Sequence, residues 1–75
     1  MVLSPPKITL EAARINAGLS IVEAAEKIGV SRSSIINWER NSSNIKISYL
    51  DKIEQAYNYP VEYIFFGNTL EFKSS

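Results

Sequence analysis

The chain has 75 residues and no formal net charge, because eight Lys and Arg residues balance eight Asp and Glu residues. A chain of this length is expected to form one domain, with no room for a second, ligand-sensing domain. Since it contains neither cysteine nor histidine, it lacks the usual ligands of zinc and the commonest general base, which argues against an enzyme and against a metal or cofactor.

The first seven residues are predicted to form a flexible leader, because the consecutive prolines Pro5 and Pro6 disfavour a helix. This segment lacks the basic start and long apolar stretch of a secretory signal. Apolar runs elsewhere in the chain fall far short of the roughly 20 residues that a membrane span needs. We therefore expect a cytoplasmic protein that makes no contact with a membrane.

Two helices are predicted at the start of the domain. The first covers about 9–17, and Gly18 follows it as the permissive residue past a helix end. The second opens with the capping box formed by Ser20 and Glu23, a hydroxyl at the cap and a carboxylate three residues later. Its predicted inward face consists of Ala24, Ala25 and Ile28.

A third helix is predicted from Arg32 to Arg40, behind the cap Ser31, and only a short turn separates it from the second. Residues three or four apart share one face of a helix, so this helix divides into two faces. Ile35 and Trp38 lie on the face that packs. The presented face consists of Arg32, Ser33, Ile36, Asn37 and Arg40.

Two further helices are predicted after a polar turn at 41–44. Asn41 tolerates the left-handed conformation that ends many helices. Ser48 can cap a fourth helix that ends near Asn58, and a fifth short helix fits about 60–66, with proline in its first turn.

The C-terminal tail, residues 68–75, alternates apolar and polar residues, which suits a short strand. Together with the preceding residues it carries more apolar side chains than the end of a small domain needs to bury. A homodimer contact is the simplest use for them. The candidates for this contact are Phe65, Phe66, Leu70 and Phe72.

Aromatic side chains are a further kind of candidate for nucleic-acid contact. Trp38 can stack on a base, but its spacing from Ile35 favours packing in the core. The tyrosines could form a platform for single-stranded nucleic acid. Their helical spacing favours core and rim positions instead. These tyrosines are Tyr49, Tyr57, Tyr59 and Tyr63.

Two helices joined by a short turn that contains glycine form the helix-turn-helix pattern, whose second helix enters the DNA major groove. The stretch GLSIVEAAEKIGVSRSSIINWER resembles the helix-turn-helix of the Cro and C1 repressor family of temperate phages, also called the XRE family. The stretch YLDKIEQAYNYPVEYIFFG resembles the fourth and fifth helices of that family. The resemblance covers about 8–67 and implies an all-α, five-helix, lambda-repressor-like DNA-binding domain, with the helix-turn-helix at about 20–40.

The resemblance also implies which residues meet DNA. It makes the third helix the recognition helix, and it places Arg32, Ser33, Ile36 and Asn37 at the positions that read base edges. Arginine can pair with guanine, asparagine with adenine, serine with either, and isoleucine can touch a thymine methyl. Phosphate contacts are expected from Ser20, Arg40, Asn41, Ser43, Asn44 and Lys46.

Arg14 and Glu39 stand at positions that commonly form an ion pair between the first and third helices in this family. We expect the pair to be structural, because breaking a partly buried pair leaves a charge without compensation.

Three positions depart from the usual pattern of the family. It usually has glutamine, which contacts the phosphate backbone, where Ile21 stands, and glycine and often proline where Asn41 and Ile45 stand. Isoleucine cannot make the hydrogen bond of glutamine. With Ile36 also on the presented face, this surface is more apolar than DNA reading alone requires.

The leading hypothesis is a Cro-like repressor of a phage lysis/lysogeny switch, in the cytoplasm of a bacterial host. It would dimerise on a pseudo-palindromic double-stranded DNA operator and act by occlusion. A second hypothesis is an antirepressor that binds a cognate phage repressor protein through the same presented face, which zero net charge, Ile21 and Ile36 favour. An antitoxin ranks last, because we find no extra segment to neutralise a toxin.

Overall fold

Four short α-helices and two single turns of 3-10 helix follow one another in the computed structural model, which describes residues 6–43 and 45–67. A mostly helical fold, as predicted, is confirmed. Within the described ranges the chain forms no extended strand, and an isolated parallel bridge joins Ile8 to Ile64. The α-helices are α1 (Leu10–Asn16), α2 (Ile21–Ile28), α3 (Arg32–Arg40) and α4 (Leu50–Tyr57), and the 3-10 turns are Ile47–Tyr49 and Val61–Tyr63.

Side-chain caps decide where the first three helices begin. At α1 the Oγ1 atom of Thr9 accepts a hydrogen bond of 3.1 Å from the backbone N–H of Ala12. Ser20 and Ser31 cap α2 and α3 in the same way. A residue that caps through its side chain has an extended backbone, so α1 begins after Thr9 and is slightly shorter than the predicted 9–17.

The core is formed by the inward faces of the four α-helices together with Ile64. Trp38 is half-buried against this core, and its ring centroid lies 5.3 Å from that of Tyr49. The predicted inward face of α2 is buried. Among the described residues, the buried apolar ones are Leu10, Ala13, Ala24, Ala25, Ile28, Ile35, Ile53, Tyr57 and Ile64.

The predicted helix at 60–66 is wrong, since only the 3-10 turn Val61–Tyr63 forms there. The carboxylate of Glu54 accepts the backbone N–H of Val61 at 3.0 Å, which ties this turn to α4. After it, the backbone N–H of Phe65 donates to the carbonyl of Ile8 at 2.8 Å. Pairing with the N-terminal segment therefore replaces the next turn of helix.

The predicted cap of the fourth helix is also wrong. Ser48 lies inside the 3-10 turn Ile47–Tyr49, in which the N–H of Tyr49 donates to the carbonyl of Lys46 at 3.0 Å. A residue inside a turn of helix cannot cap the helix. As a result α4 begins at Leu50 without a side-chain cap, although it ends next to Asn58 as predicted.

Asn41, the residue after α3, has an extended backbone with φ −153° and ψ 107°, which corrects the left-handed conformation that we predicted. The reason lies in the next residue, because the backbone N–H of Ser42 donates to the carbonyl of Gly67 at 3.0 Å. An extended exit from α3 lets Ser42 reach this partner. The chain uses the left-handed conformation at Asn58 instead, with φ 51°.

The two ends of the described chain lie side by side. The backbone N–H of Ile8 donates to the carbonyl of Tyr63 at 3.0 Å. The hydroxyl of Tyr59 donates to the carbonyl of Pro6, so the last part of the predicted leader, 1–7, is held against the domain. Residues 1–5 and the predicted tail 68–75 lie outside the described residues.

Candidate nucleic-acid interface

The turn between α2 and α3 fixes how α3 is presented. Gly29 has φ 87°, and its N–H and that of Val30 both donate to the carbonyl of Ala25, at 2.8 and 3.0 Å. A Cβ atom at Gly29 would meet nothing within 4 Å. Glycine is therefore favoured here by the left-handed backbone and not by space. Ser31 then caps α3 through the N–H of Ser34 at 3.1 Å.

The structure brings the predicted presented face of α3 together at the surface. Ile35 is fully buried beneath it, and Ile36 is 44% exposed. The face offers two guanidinium groups, a hydroxyl, an amide and an aliphatic side chain, which is a set that can match base edges and a thymine methyl. Its exposed members are Arg32, Ser33, Ile36, Asn37 and Arg40.

An ion pair holds α3 against α1. Arg14 Nε lies 2.6 Å from Glu39 Oε2, and Arg14 Nη2 lies 3.2 Å from Glu39 Oε1. Arg14 Nη1 also donates to the carbonyl of Leu19 at 2.9 Å, so the same guanidinium fastens the connection between α1 and α2. The hydrogen bond with Glu39 raises the pKa of Arg14. This arrangement holds α3 in place against α1 and the α1–α2 connection.

Tyr57 lies beside this ion pair, in the core. Its hydroxyl is buried and has no hydrogen-bond partner among the described residues. Burial and the charge of Glu39 raise the pKa of Tyr57 to about 12, so the phenol stays protonated at physiological pH. Tyr57 is therefore a core residue and does not form part of an aromatic platform.

The N-terminus of α2 is closed by a complete capping box. The N–H of Glu23 donates to Ser20 Oγ at 3.1 Å, and the N–H of Ser20 donates to Glu23 Oε1 at 2.9 Å. The bond from the Ser20 backbone lowers the pKa of Glu23, which keeps its carboxylate charged. A phosphate that approached the exposed Ser20 would meet this negative charge, which makes Ser20 the least favourable of the predicted phosphate contacts.

Ile21, beside this cap, does not join the presented surface. It is half-buried and packs against the core. Ile36 is therefore the apolar side chain on the presented surface. On α2, Val22 is exposed to the same extent, 44%.

The turn after α3 has a defined polar arrangement. Asn41 Oδ1 accepts hydrogen bonds from the N–H of Ser43 at 3.0 Å and from its hydroxyl at 2.7 Å. The amide oxygen is thus occupied, and the NH₂ group of Asn41 is the donor that can face a phosphate. Lys46 is exposed farther along the chain. Asn44, another predicted phosphate contact, lies outside the described residues.

Ser42 has a structural role that our sequence analysis missed. Only 4% of it is exposed, and its Oγ atom accepts the N–H of Gly67 at 2.9 Å. In sequence it is one serine of a polar turn, and no periodicity separates it from its neighbours. Only its long-range partner, close in space but far along the chain, distinguishes it.

The structure describes two of the four predicted dimer residues. Phe65 and Phe66 are half-buried, and Phe66 packs against the core of its own chain. Leu70 and Phe72 lie outside the described residues.

Across the described residues, no group of three or more acidic side chains could hold a metal ion. Within those same ranges, no helix has the length and apolarity to cross a bilayer. A helix-turn-helix family model matches residues 10–64. No curated protein matches the chain.

Proposed function

Since the chain belongs to the Cro/C1-type helix-turn-helix family of DNA-binding transcription regulators, we propose that it is a sequence-specific repressor that acts by operator occlusion. The observation that carries the proposal is the exposed face of α3. It combines the charged and polar groups that match base edges with a helix axis held by the Arg14–Glu39 pair. The family is regulatory and not typically enzymatic.

Base reading is assigned to four residues of α3. Arg32, at the start of the helix, reaches guanine O6 and N7, and Asn37 pairs with adenine N6 and N7. Ser33 accepts from or donates to either base, and Ile36 contacts a thymine methyl. A cation at the start of a helix is slightly unfavourable for the free protein, which supports a role for Arg32 in binding an anion or an electron-rich base edge.

Phosphate contacts are assigned to residues beside this face. Arg40 and Lys46 supply cations, and the NH₂ group of Asn41 supplies a neutral donor. Ser20, Ser43 and Asn44 complete the proposed set. With so few cations a single subunit binds weakly. The logarithm of its affinity is expected to fall linearly with the logarithm of the salt concentration, and this salt slope is about 0.9 for each neutralised phosphate.

A homodimer overcomes the weakness of one subunit. Two linked copies reach half-sites about 34 Å apart on one side of the DNA, and the second contact gains from a high effective concentration. The proposed dimer contact includes Phe65, Phe66 and the tail residues Leu70 and Phe72. The resemblance to temperate-phage repressors supports a role in a lysis/lysogeny switch, where such a dimer blocks polymerase or a rival repressor in a bacterial cytoplasm.

A second candidate function is that of an antirepressor, which binds a cognate phage repressor protein through the same face. The observation that favours it is Ile36, an aliphatic side chain that is 44% exposed in the middle of that face. The zero net charge of the chain also gives little long-range attraction to DNA.

DNA titration distinguishes the two functions. We expect the protein to bind selected fragments of the DNA around its own gene, with affinity that falls as salt increases, measured by fluorescence anisotropy. An Arg32→Ala, Asn37→Ala variant is expected to lose at least about 2 kcal/mol of this selective binding. Lys27→Ala, Gln55→Ala is the matched control, since it also removes one cation and one amide, from the exposed surface between α2 and α4.

Absence of selective DNA binding would contradict the repressor function. If folded wild-type protein binds no fragment selectively even at low salt, the repressor function is wrong. The antirepressor function then requires direct binding to the repressor encoded nearby, lost in the same double variant.

A further inference from the structure

Ser42 connects the end of α3 to the C-terminal part of the domain through both its backbone and its side chain. Its N–H donates to the carbonyl of Gly67 at 3.0 Å, and its Oγ accepts the N–H of Gly67 at 2.9 Å. The hydroxyl donates toward the carbonyls of Phe65 and Gly67, each at 3.4 Å. Because Ser42 is 4% exposed, water cannot readily replace these partners.

The carbonyl of Ser42 has a different partner, Ile45, the residue before Lys46. It accepts the N–H of Ile45 at 3.3 Å, and Ile45 is half-buried against the core. This bond and the packing of Ile45 hold the residue immediately before Lys46 in place. The exposed ammonium of Lys46 is thus carried by a backbone with a defined position, which lowers the entropy that a phosphate contact costs.

The same serine also fixes the residue that precedes it. Asn41 leaves α3 with an extended backbone, and that geometry brings Ser42 to Gly67. Ser43, on the other side, holds the amide oxygen of Asn41. Ser42 thus lies between Asn41 and Lys46, the two proposed phosphate donors, and its own hydrogen-bond partners lie at residues 65 and 67.

From these contacts we infer that Ser42 is a positioning residue for DNA binding. By joining the end of α3 to residues 65–67, it holds Asn41 and Lys46 where they meet the phosphate backbone. The inference rests on the proposed function, because it concerns the phosphate contacts of that same interface. It assigns Ser42 no contact with DNA.

A double-mutant cycle tests this role. The variants are Ser42→Ala, Lys46→Gln and their combination, each titrated with the bound DNA fragment over a series of salt concentrations. Lys46→Gln removes one phosphate contact and is expected to reduce the salt slope by about 0.9. Ser42→Ala removes the three hydrogen bonds of the hydroxyl but keeps the backbone bonds to Gly67 and Ile45. We therefore expect it to weaken binding about three- to tenfold and to reduce the slope by part of the amount seen for Lys46→Gln. The combined variant then matches Lys46→Gln in slope.

Ser48→Ala is the matched control, since Ser48 is an exposed serine in the following turn, and it is expected to bind as the wild type does. The thermal unfolding midpoint of each variant is measured first, and all titrations are carried out at a temperature well below the lowest midpoint. If Ser42→Ala does not fold, Ser42→Cys, which is similar in size and a weaker hydrogen-bonding group, replaces it in the cycle.

Three results would overturn the positioning role of Ser42, and a fourth would overturn the proposed function itself. A lower unfolding midpoint with wild-type affinity and slope would mean that Ser42 is structural only, and would overturn the inference. So would affinity losses that add in the combined variant, or a Lys46→Gln variant that keeps the wild-type slope. If the wild-type protein itself binds no DNA, the proposed function falls, and the inference with it.

Discussion

The side chain of Tyr57 both stabilises and destabilises the fold. Its ring fills the core, but its hydroxyl is buried beside the Arg14–Glu39 pair without a hydrogen-bond partner in the described part of the chain. A buried polar group without a partner costs about 1–3 kcal/mol. The ring therefore stabilises the fold, whereas the hydroxyl opposes it.

Removing this hydroxyl is expected to stabilise the protein. Tyr57→Phe keeps the ring and removes the unsatisfied group, so we predict an increase of about 1 kcal/mol in the free energy of unfolding, measured by urea denaturation. Tyr59→Phe is the matched control, because it loses the hydrogen bond to Pro6 and should not stabilise. A Tyr57→Phe protein less stable than the wild type would show that the hydroxyl has a favourable partner.

Single residues also show where sequence reasoning succeeds and fails. The exposed face of α3 could be predicted, because a helical period sorts Ile35 inward and Arg32 and Asn37 outward whatever surrounds the helix. The burial of Ser42 could not, because it depends on Gly67, which approaches only in the folded chain. Polar residues whose role comes from a long-range partner carry no local pattern.

The helix α2 is stabilised at its start by the capping box of Ser20 and Glu23. The N–H of Ser20 binds the Glu23 carboxylate and lowers the pKa of Glu23 below its ordinary value of 4.5. A carboxyl whose pKa is lower in the folded state stabilises that state above its unfolded pKa. This contribution disappears as the pH falls through the folded pKa.

The box predicts a specific dependence on pH. Glu23→Gln keeps a side chain that can accept the Ser20 N–H but cannot titrate. We expect the stability advantage of the wild type over Glu23→Gln to shrink when the pH falls from 6 to below 4.5, measured by thermal unfolding at each pH. An advantage that stays constant through the acid range would rule out the charged box.

Elements were predicted well where caps and periodicity agreed. Ser20 and Ser31 with Gly29 defined α2 and α3, because these signals act within one helix and its ends. The 60–66 helix failed, because Phe65 pairs its backbone with Ile8 from the other end of the chain. Tertiary hydrogen bonds there override a helical preference that is weak in so short a segment.

The Arg14–Glu39 pair joins three separate parts of the fold, which are α1, the α1–α2 connection and α3. Both side chains are about nine-tenths buried, at 9% and 10% exposure. Removal of one member leaves the other charge buried without compensation, which is far costlier than loss of an exposed pair. Glu11, 3.9 Å from Arg14 and 60% exposed, provides the exposed comparison.

Glu39→Ala is expected to lower the free energy of unfolding by about 3 kcal/mol. Glu11→Ala removes a carboxylate near the same arginine and should cost no more than about 0.5 kcal/mol. Replacement of both Arg14 and Glu39 by methionine should cost less than Glu39→Ala alone, because no buried charge remains. Chemical denaturation of the variants gives these values, and equal losses for Glu39→Ala and Glu11→Ala would refute the argument.

The contact between the two ends of the chain has a consequence for the order of events in folding. Tyr59 reaches Pro6 across 53 residues. The entropy cost of closing a loop of that length is offset only after the helices within the loop have formed. The helices α2 and α3, by contrast, meet across one tight turn. The ends are therefore expected to join last and to separate first. A molecule whose ends have separated is expected to keep α2 and α3 but to weaken the bonds between Ser42 and Gly67, because Gly67 closely follows Phe65, which pairs with Ile8.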